Sequence, residues 1–406
     1  MTTVLITGAA AGIGEATARL FAAKGWRCLL VDRACDRLEQ LIRELPAGST
    51  GAHQALVIDL TDKADIGRLA GLDLTLDVVI NNAGISSDRP DALVHQPWEA
   101  LRPVEELNLL APMSVVEALD ASLAADARVI HIASGAGLRA LPQRGLYSAS
   151  KAGVIALANA QAHEAPGRST YALCPGFVRT ALVEGLLEQG RLKLEDAIGK
   201  IPMAYMGRPE DIAQGLFFLA TLTKARLEAP ALVIDGGSSV FGGGQRLNDT
   251  AATPVDMDAE CDFRLVGESE TSLEATGALG PTPLAPVGYT AVIDFTARHV
   301  AAEHLLESLH RIARAFTAAH TAPASLTVVL PFVDAERSAP EQAFAAAASM
   351  LVATLACELG PVGYRVNAVA WAPDMAPDAL CQILRYVSGP TGRFLAGQTL
   401  RFTNRY

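Results

Sequence analysis

The chain has 406 residues, half of them hydrophobic, and a formal net charge of −11. That length supports two or three domains with a large buried core, and the acidic balance, with no strongly basic run, argues against nucleic acid or an anionic membrane as the main partner. Cys28, Cys35, Cys174, Cys261, Cys357 and Cys381 show no metal-type spacing and are expected as reduced thiols in a cytoplasmic protein; the first strand starts almost at Met1, leaving no room for a targeting segment, and no apolar run is read as approaching the ~20 residues needed to span a bilayer.

Thr3–Thr7 reads as a short apolar strand, followed at once by Gly8, Gly12 and Gly14 and an amphipathic helix. Further strands are predicted at Cys28–Asp32, His53–Asp59 and Leu76–Asn82, with a helix carrying Leu38, Leu41, Ile42 and Leu45 after the second. Strands apolar throughout, alternating with helices, imply a parallel sheet covered on both faces. Trp98 to Ala125 reads as one long helix with Pro103 and Pro112 near its early turns. Strand Ala127–Ala133 follows, then a segment from Ser134 to a helix beginning near Tyr147. Strand Ser169–Cys174, a mobile-looking stretch from Val178 to Met206, a helix from Pro209 and strand Ala231–Gly237 complete a first unit, residues 1–244.

Residues 245–288, rich in Thr, Pro, Gly and acidic side chains, read as a linker in which only the run around Phe263 looks strand-like. From Tyr289 to the end the α/β rhythm resumes, and it echoes the first unit. Leu76–Gly84 is answered by Tyr289–Ala297, Ala127–Gly135 by Ser325–Val333, Ser169–Phe177 by Tyr364–Pro373, and Pro230–Gly237 by Gly397–Asn404. Residues 289–406 are thus expected to be a partial repeat without the opening strands or the glycine loop.

Two groups of residues carry chemistry. Gly8, Gly12 and Gly14 lie between a strand and a helix, so backbone amides and the helix N-terminus can face a pyrophosphate. Asp32 ends the second strand about 20 residues on, where a carboxylate reads an adenosine ribose. A 2′-phosphate there would be repelled by about 4 kcal/mol per charge pair at about 4 Å, so NAD is favoured over NADP, with Arg33 positioned to soften that repulsion. In the second group, Tyr147 and Lys151 are four residues apart on one helix face. A free tyrosine has a pKa of about 10; bringing it to ~7 requires roughly 4 kcal/mol of preferential stabilisation of the phenolate, which a neighbouring ammonium favours. With the Ser134 hydroxyl to hold a carbonyl or alcohol oxygen, this is a proton-transfer site for alcohol/ketone chemistry.

The runs Thr7–Gly14 (TGAAAGIG), Asn81–Gly84 (NNAG), a lone Asn108, Ser134, Tyr147–Lys151 (YSASK) and Pro175–Thr180 (PGFVRT), in this order, resemble the short-chain dehydrogenase/reductase family, over roughly residues 1–244. The resemblance implies a Rossmann-like doubly wound sheet, followed here by a second, partial unit. It implies that Gly8, Gly12, Ile13 and Gly14 line the cofactor phosphates. Asp59 and Leu60 would flank the adenine, Asn81, Ala83 and Gly84 the nearer ribose and ring, and Pro175, Gly176, Val178 and Thr180 the nicotinamide. It also implies hydride transfer with Tyr147 as acid/base, Ser134 positioning the substrate oxygen, and Lys151 serving as the pKa-lowering cation and a ribose contact. Asn108 resembles the family's helix-interrupting asparagine, which holds a water in the proton relay. One departure is Thr170-Tyr171-Ala172, where the family usually carries Asn; the second repeat has that pattern at Val366-Asn367-Ala368.

Lining up Glu164 with Glu358 puts Glu341 and Ala345 at the positions of Tyr147 and Lys151, so the second unit is expected neither to bind dinucleotide nor to catalyse. Family members commonly pair through their fourth and fifth helices and last strand. The tail is therefore expected to imitate a neighbouring subunit, burying the apolar faces of helices Trp98–Ala125 and Tyr147–His163, with the whole chain forming a homodimer. Arg139, Gln143 and Arg144 lie beside the substrate path, where the basic residues could greet an acidic substrate but read rather as solvated loop charges; Phe177 and Ala181–Leu187 read as an apolar lid or a plain amphipathic surface helix, and His131 as a packed core residue. The expected function is an NAD-dependent oxidoreductase interconverting a secondary alcohol and its ketone. The alternatives are an NADPH-dependent carbonyl reductase and a non-catalytic dinucleotide-binding or scaffold protein.

Overall fold

A computed structural model describes residues 2–47, 51–86, 93–139, 145–165, 167–188, 190, 193–222, 224–228, 231–243, 253–267, 279, 288–334 and 336–404. Its helices are α1 (Gly12–Ala23), α2 (Cys35–Glu44), α3 (Lys63–Gly67), α4 (Trp98–Glu105), α5 (Ala111–Leu119), α6 (Gly145–Glu164), α7 (Ala181–Glu188), α8 (Leu194–Ile198), α9 (Pro209–Thr221), α10 (Leu305–Ala319), α11 (Ala339–Leu359) and α12 (Pro377–Ser388). Strands β1 (Thr3–Thr7), β2 (Arg27–Asp32), β3 (Gln54–Val57), β4 (Leu76–Asn81), β5 (Leu123–Ile132), β6 (Ser169–Pro175) and β8 (Ala231–Ile234) form a seven-stranded sheet in the order β3-β2-β1-β4-β5-β6-β8. The ladders from β3 through β6 are parallel. This is the Rossmann-like architecture that the apolar strands imply, because central parallel strands must bury both faces.

One face of this sheet packs Leu5, Leu29, Val79 and Val129 against Ala111, Val115 and Leu119 of α5. On the other, α1 and α9 lie together, with the Phe21 and Phe217 rings edge-to-face at 5.2 Å. The long helix expected over Trp98–Ala125 is not continuous. It is α4, a π-helical turn at Glu106–Leu110, then α5, and β5 begins at Leu123. The interruption coincides with the fully buried Asn108, whose side chain bonds backbone groups outside the helix. The stretch expected to be mobile contains α7 and α8. Leu110 in the π-turn and Met113 on α5 are exposed.

A second sheet contains β7 (Ala225–Leu227), β9 (Cys261–Val266), β10 (Tyr289–Asp294), β11 (Ala324–Val329), β12 (Tyr364–Trp371) and β13 (Thr399–Asn404), in the order β7-β13-β12-β11-β10-β9. β9 through β13 are parallel, and β7 is antiparallel to β13. The expected linker contributes β9, paired with β10 over six residues, so the second unit does possess an opening strand. The boundary is also interleaved: Lys193–Gly207 and Leu222–Ala229 cluster with the second unit, and Arg208–Thr221 with the first. Short segments such as Ala225–Leu227 carry too few residues for a periodicity, and only pairing with a distant strand defines them.

In the second unit, Val292, Leu326, Val328 and Val366 meet Leu309, Ile312 and Phe316 of α10 and Ala348, Val352 and Ala356 of α11. Ala339–Val362 is long and apolar enough to cross a membrane by length and composition, contrary to the expectation that no such run exists. A buried arginine pins the other side of this sheet. Arg365 donates to the carbonyls of Val387, Ser388, Gly389 and Gly392 and to the Tyr289 hydroxyl, tying the end of α12 to β10 and β12. Removing the guanidinium strands several buried carbonyls, each worth about 1–3 kcal/mol. Arg365→Met is therefore expected to destabilise the chain by at least about 3 kcal/mol, read as a lower urea midpoint.

Candidate active site

The site lies at the carboxyl ends of β1, β4, β5 and β6. There β1 is flanked by β2 and β4 and the strand order reverses, which is where open α/β sheets form ligand crevices. Gly8 and Gly12 have φ of +63° and +59°, a region that favours glycine, so the chain turns sharply between β1 and α1. A β-carbon at Gly14 would lie 2.1 Å from the Gly8 carbonyl oxygen. Only glycine allows α1 to start this close to the turn. Ile13 is the half-exposed residue between Gly12 and Gly14.

Three side chains hold this turn. The Asp32 carboxylate accepts from the backbone N–H of Ala10 and of Ala34, both at 3.1 Å, so the predicted ribose reader also braces the glycine loop. Thr7 Oγ1 accepts from the N–H of Asn82 and Ala83, and Asn82 Nδ2 donates to the carbonyls of Thr7 (2.9 Å) and Gly8 (3.1 Å). Sequence reasoning missed Thr7 and Asn82 as positioning residues. The signal was present in the Asn81–Asn82 pair, but Asn81 was the one singled out. Asn81 turns inward and donates to His131 Nδ1 at 3.3 Å, while His131 Nε2 donates to Gln161 Oε1 at 2.9 Å. The amide nitrogen can only donate and the amide oxygen only accept, so the pair fixes a neutral tautomer. Burial pushes the His131 pKa down to about 4. His131 is packed, as expected.

Asp59 and Leu60, the residues expected at the adenine, follow β3. Asp59 accepts from the hydroxyl and N–H of Thr61, which hold its carboxyl below the usual range, and the charge of Arg33 adds to this. Arg33 is exposed, and Leu60 is buried. At the other end, a β-carbon at Gly12 would lie 3.5 Å from Thr180 Cγ2, so the segment after β6 closes over the glycine loop. Val178 in that segment is buried and Gly176 half-buried.

Asn108 and Lys151 meet beside Gly84, with the Tyr147 ring next to Lys151 on α6 and Ser134 at the end of the run from β5. A β-carbon at Gly84 would lie 3.1 Å from Asn108 Oδ1 and 3.3 Å from Lys151 Nζ. Asn108 pairs with both backbone groups of Ile85 at 2.9 Å and donates to Ser150 Oγ at 3.3 Å, while Ser150 donates to the Tyr147 carbonyl. The π-turn thus delivers one side chain that locks the β4 loop to the first turn of α6. Ser134 ends the run from β5 and caps a short turn, Gly135–Gly137, by accepting from Ala136 N. That turn lies against both Lys151 and Pro175: β-carbons at Gly137 and Gly135 would be 2.7 Å from the Lys151 carbonyl carbon and 3.6 Å from the Pro175 oxygen.

Lys151 is buried, donates to the Ile132 carbonyl at 2.8 Å, and lies 6.0 Å from the centre of the Tyr147 ring. Burial pushes its pKa down to about 8. The arrangement therefore joins an amide-lined turn, fitted to phosphates, to a phenol with a cation beside it. The residues present fit a nicotinamide dinucleotide, since the loop that would face its phosphates carries no side chains that fill it. Residues 140–144, with Gln143 and Arg144, lie outside the described residues; Arg139 is exposed. Among the described residues no cluster of His, Cys, Asp and Glu could hold a metal.

Comparison with known proteins agrees with this geometry. The family model for short chain dehydrogenase matches residues 2–190. A 3-oxoacyl-(acyl-carrier-protein) reductase of Thermotoga maritima is 33% identical over 241 residues, 57% of this chain and 96% of that protein. D-threitol dehydrogenase of Mycolicibacterium smegmatis is 32% identical, over 58% of this chain and 92% of that protein. A single-residue variant of actinorhodin polyketide ketoreductase, solved with NADPH, superposes with a TM-score of 0.52 at 24% identity, covering 59% of this chain and 98% of that one. The chain belongs to the short-chain dehydrogenase/reductase family, and is an oxidoreductase of that family.

The buried ammonium has a thermodynamic signature. Lys151 titrates near 10.5 when solvated and near 8 in the fold, so between those pH values the unfolded chain holds the extra proton and stability rises with pH. Below pH 8 the buried charge costs on the order of 3 kcal/mol. Lys151→Met is expected to unfold at higher temperature at pH 7, with the gap over the parent closing as pH approaches 10.5. Equal melting-temperature differences at both pH values would contradict the assignment.

Proposed function

We propose that the chain is an NAD-linked oxidoreductase that interconverts a secondary alcohol and its ketone at the Asn108, Ser134, Tyr147 and Lys151 site. The observation that carries this reading is the buried Lys151 ammonium beside the Tyr147 ring, at the end of a crevice that begins at the glycine loop. When bound, the nicotinamide would supply the hydride acceptor or donor. Gly8, Gly12, Ile13 and Gly14 would hold the phosphates through backbone amides, Asp32 and Arg33 would meet the adenosine ribose, and Asp59 and Leu60 the adenine. Ala83 and Gly84 would face the nearer ribose, together with the backbone of Asn81, whose side chain is committed to His131. Pro175, Gly176, Val178 and Thr180 would close over the nicotinamide.

Tyr147 would hold or release the proton at its phenolic oxygen, and Ser134 Oγ would keep the substrate oxygen in line with it. Lys151 would favour the phenolate and contact the ribose. Because its own pKa lies near the working range, its charge is available without fixing it permanently. Asn108 would keep the π-turn open for a water in the relay to solvent. Tyr147→Phe is expected to lower turnover by about 10²-fold or more, with dinucleotide affinity changed little; parent-like turnover would contradict the acid/base role and favour a non-catalytic dinucleotide-binding protein.

NAD preference is supported by the anchored Asp32 carboxylate, which a 2′-phosphate would approach at a Coulombic cost. A second reading, an NADPH-dependent carbonyl reductase, is favoured by the reductase relative and by Arg33 beside the same position. Initial rates with the two dinucleotides separate them.

We also infer that the chain acts as a homodimer whose second unit stands in for a neighbouring subunit. The run β9 to β13 repeats in order the strands β1, β4, β5, β6 and β8, which supports descent from the same fold. Leu110 and Met113 offer an exposed apolar face for a second chain. Truncation after residue 250 is expected to cost solubility and activity in sedimentation and rate assays; a soluble, dimeric, fully active fragment would refute the stand-in role.

A further inference from the structure

Two bonds from α6 end on neighbouring residues of β5. Towards the start of the helix, Lys151 Nζ donates to the Ile132 carbonyl at 2.8 Å; towards its end, Gln161 Oε1 accepts from His131 Nε2 at 2.9 Å. Their origins, Lys151 and Gln161, are ten residues apart on α6, about 15 Å along the helix axis, yet their targets are adjacent. The two bonds therefore converge, and a slide of α6 along its axis in either direction stretches one of them. The His131 ring is not free to follow such a slide, because Asn81 on β4 donates to its other nitrogen at 3.3 Å.

Apolar packing between these bonds is a poor substitute for them. Val154 and Ala158 of α6 meet Ala133, Ala172 and Cys174, side chains mostly too short to build deep ridges and grooves. The imidazole is also costly where it stands: His131 is fully buried, and an apolar residue would spare its desolvation. What the ring provides in return is a fixed link between β4, β5 and α6. Lys151 is the group on α6 that this link serves. The titratable groups that act on the ammonium are the Cys174 thiol of β6 and the His131 ring of β5, with the Tyr147 ring centre 6.0 Å away on its own helix.

We propose that His131 and Gln161 are positioning residues, whose bond holds α6 in register along β5 so that Lys151 stays buried beside the Tyr147 ring. The consequence for turnover rests on the dehydrogenase reading; the placement of Lys151 does not, and the test separates the two. Full-length protein without nicotinamide is labelled with carbon-13 at the lysine ε-carbons, and the Lys151 signal is identified by its loss in Lys151→Met. Its titration midpoint in the parent is expected at about 8. Gln161→Met keeps the side-chain length and removes the acceptor, and should raise that midpoint by roughly one unit as α6 shifts and water reaches the ammonium. His131→Asn keeps an acceptor for Asn81 but nothing that reaches Gln161, and should give the same rise. Ala160→Gly, an exposed change in the same turn, lowers helix propensity with the bond intact and should leave the midpoint in place. In oxidation of cyclohexanol with NAD, Gln161→Met should lower kcat about tenfold at unchanged NAD affinity. A midpoint unmoved in Gln161→Met, or moved equally by Ala160→Gly, would overturn the proposal, and Gln161→Met alone decides if His131→Asn does not fold. A raised midpoint with parent-like kcat would uphold the placement and contradict the role of Lys151 in turnover.

Discussion

The first unit depends on one unfavourable burial. Lys151 is taken out of water to meet the Ile132 carbonyl, and no carboxylate lies within salt-bridge distance of it among the described residues. A buried cation without a counter-ion is costly. The surrounding structure supports it by close backbone approach: Gly84 and Gly137 come so near that β-carbons there would crowd the lysine. The close-packed glycines between β1 and α1 therefore have counterparts around Lys151. What is lost in stability is kept as a cation next to a phenol, in a setting dry enough for the charge to matter.

Much of this was legible because it is local. Gly8, Gly12 and Gly14 sit between a strand and a helix in the sequence itself, and the four-residue spacing of Tyr147 and Lys151 needs only helix geometry to become a contact. Asp32 was legible as a strand-end carboxylate, but its bond to Ala10 was not, since that requires the loop to fold back over β2. The same limit hid Thr7 and Asn82, which act only when β1 and β4 are neighbours. β7 escaped because a three-residue strand is defined by its ladder partner rather than by a pattern, and β9, whose run around Phe263 reads as strand-like, shows its place in the second sheet only through its pairing with β10.

The two units use the long helix that follows a central strand in different ways. Each puts a long helix after a central parallel strand of its own sheet. In the first, the opening turns of that helix carry a phenol and an ammonium. In the second, Ser338 and Glu341 form a reciprocal cap that commits the carboxylate to the helix's own backbone. Chemistry that would face a ligand in one unit is used for helix termination in the other. The second unit gains its own internal lock in Arg365, a residue whose five partners come from β10 and from the end of α12 onward.

The π-turn at Glu106–Leu110 has a geometric consequence of its own. A π-turn holds one residue more than the α-turn it replaces, and each residue advances a helix by about 100° around its axis. Everything after Asn108 is therefore rotated by nearly a third of a revolution relative to α4. That phase offset lets α4 and α5 address different surroundings while remaining one rod: Ala111, Val115 and Leu119 meet the sheet, and Leu110 and Met113 point away from it. A buried polar side chain that ties two loops together thus also sets the bearing of the face that α5 presents outward.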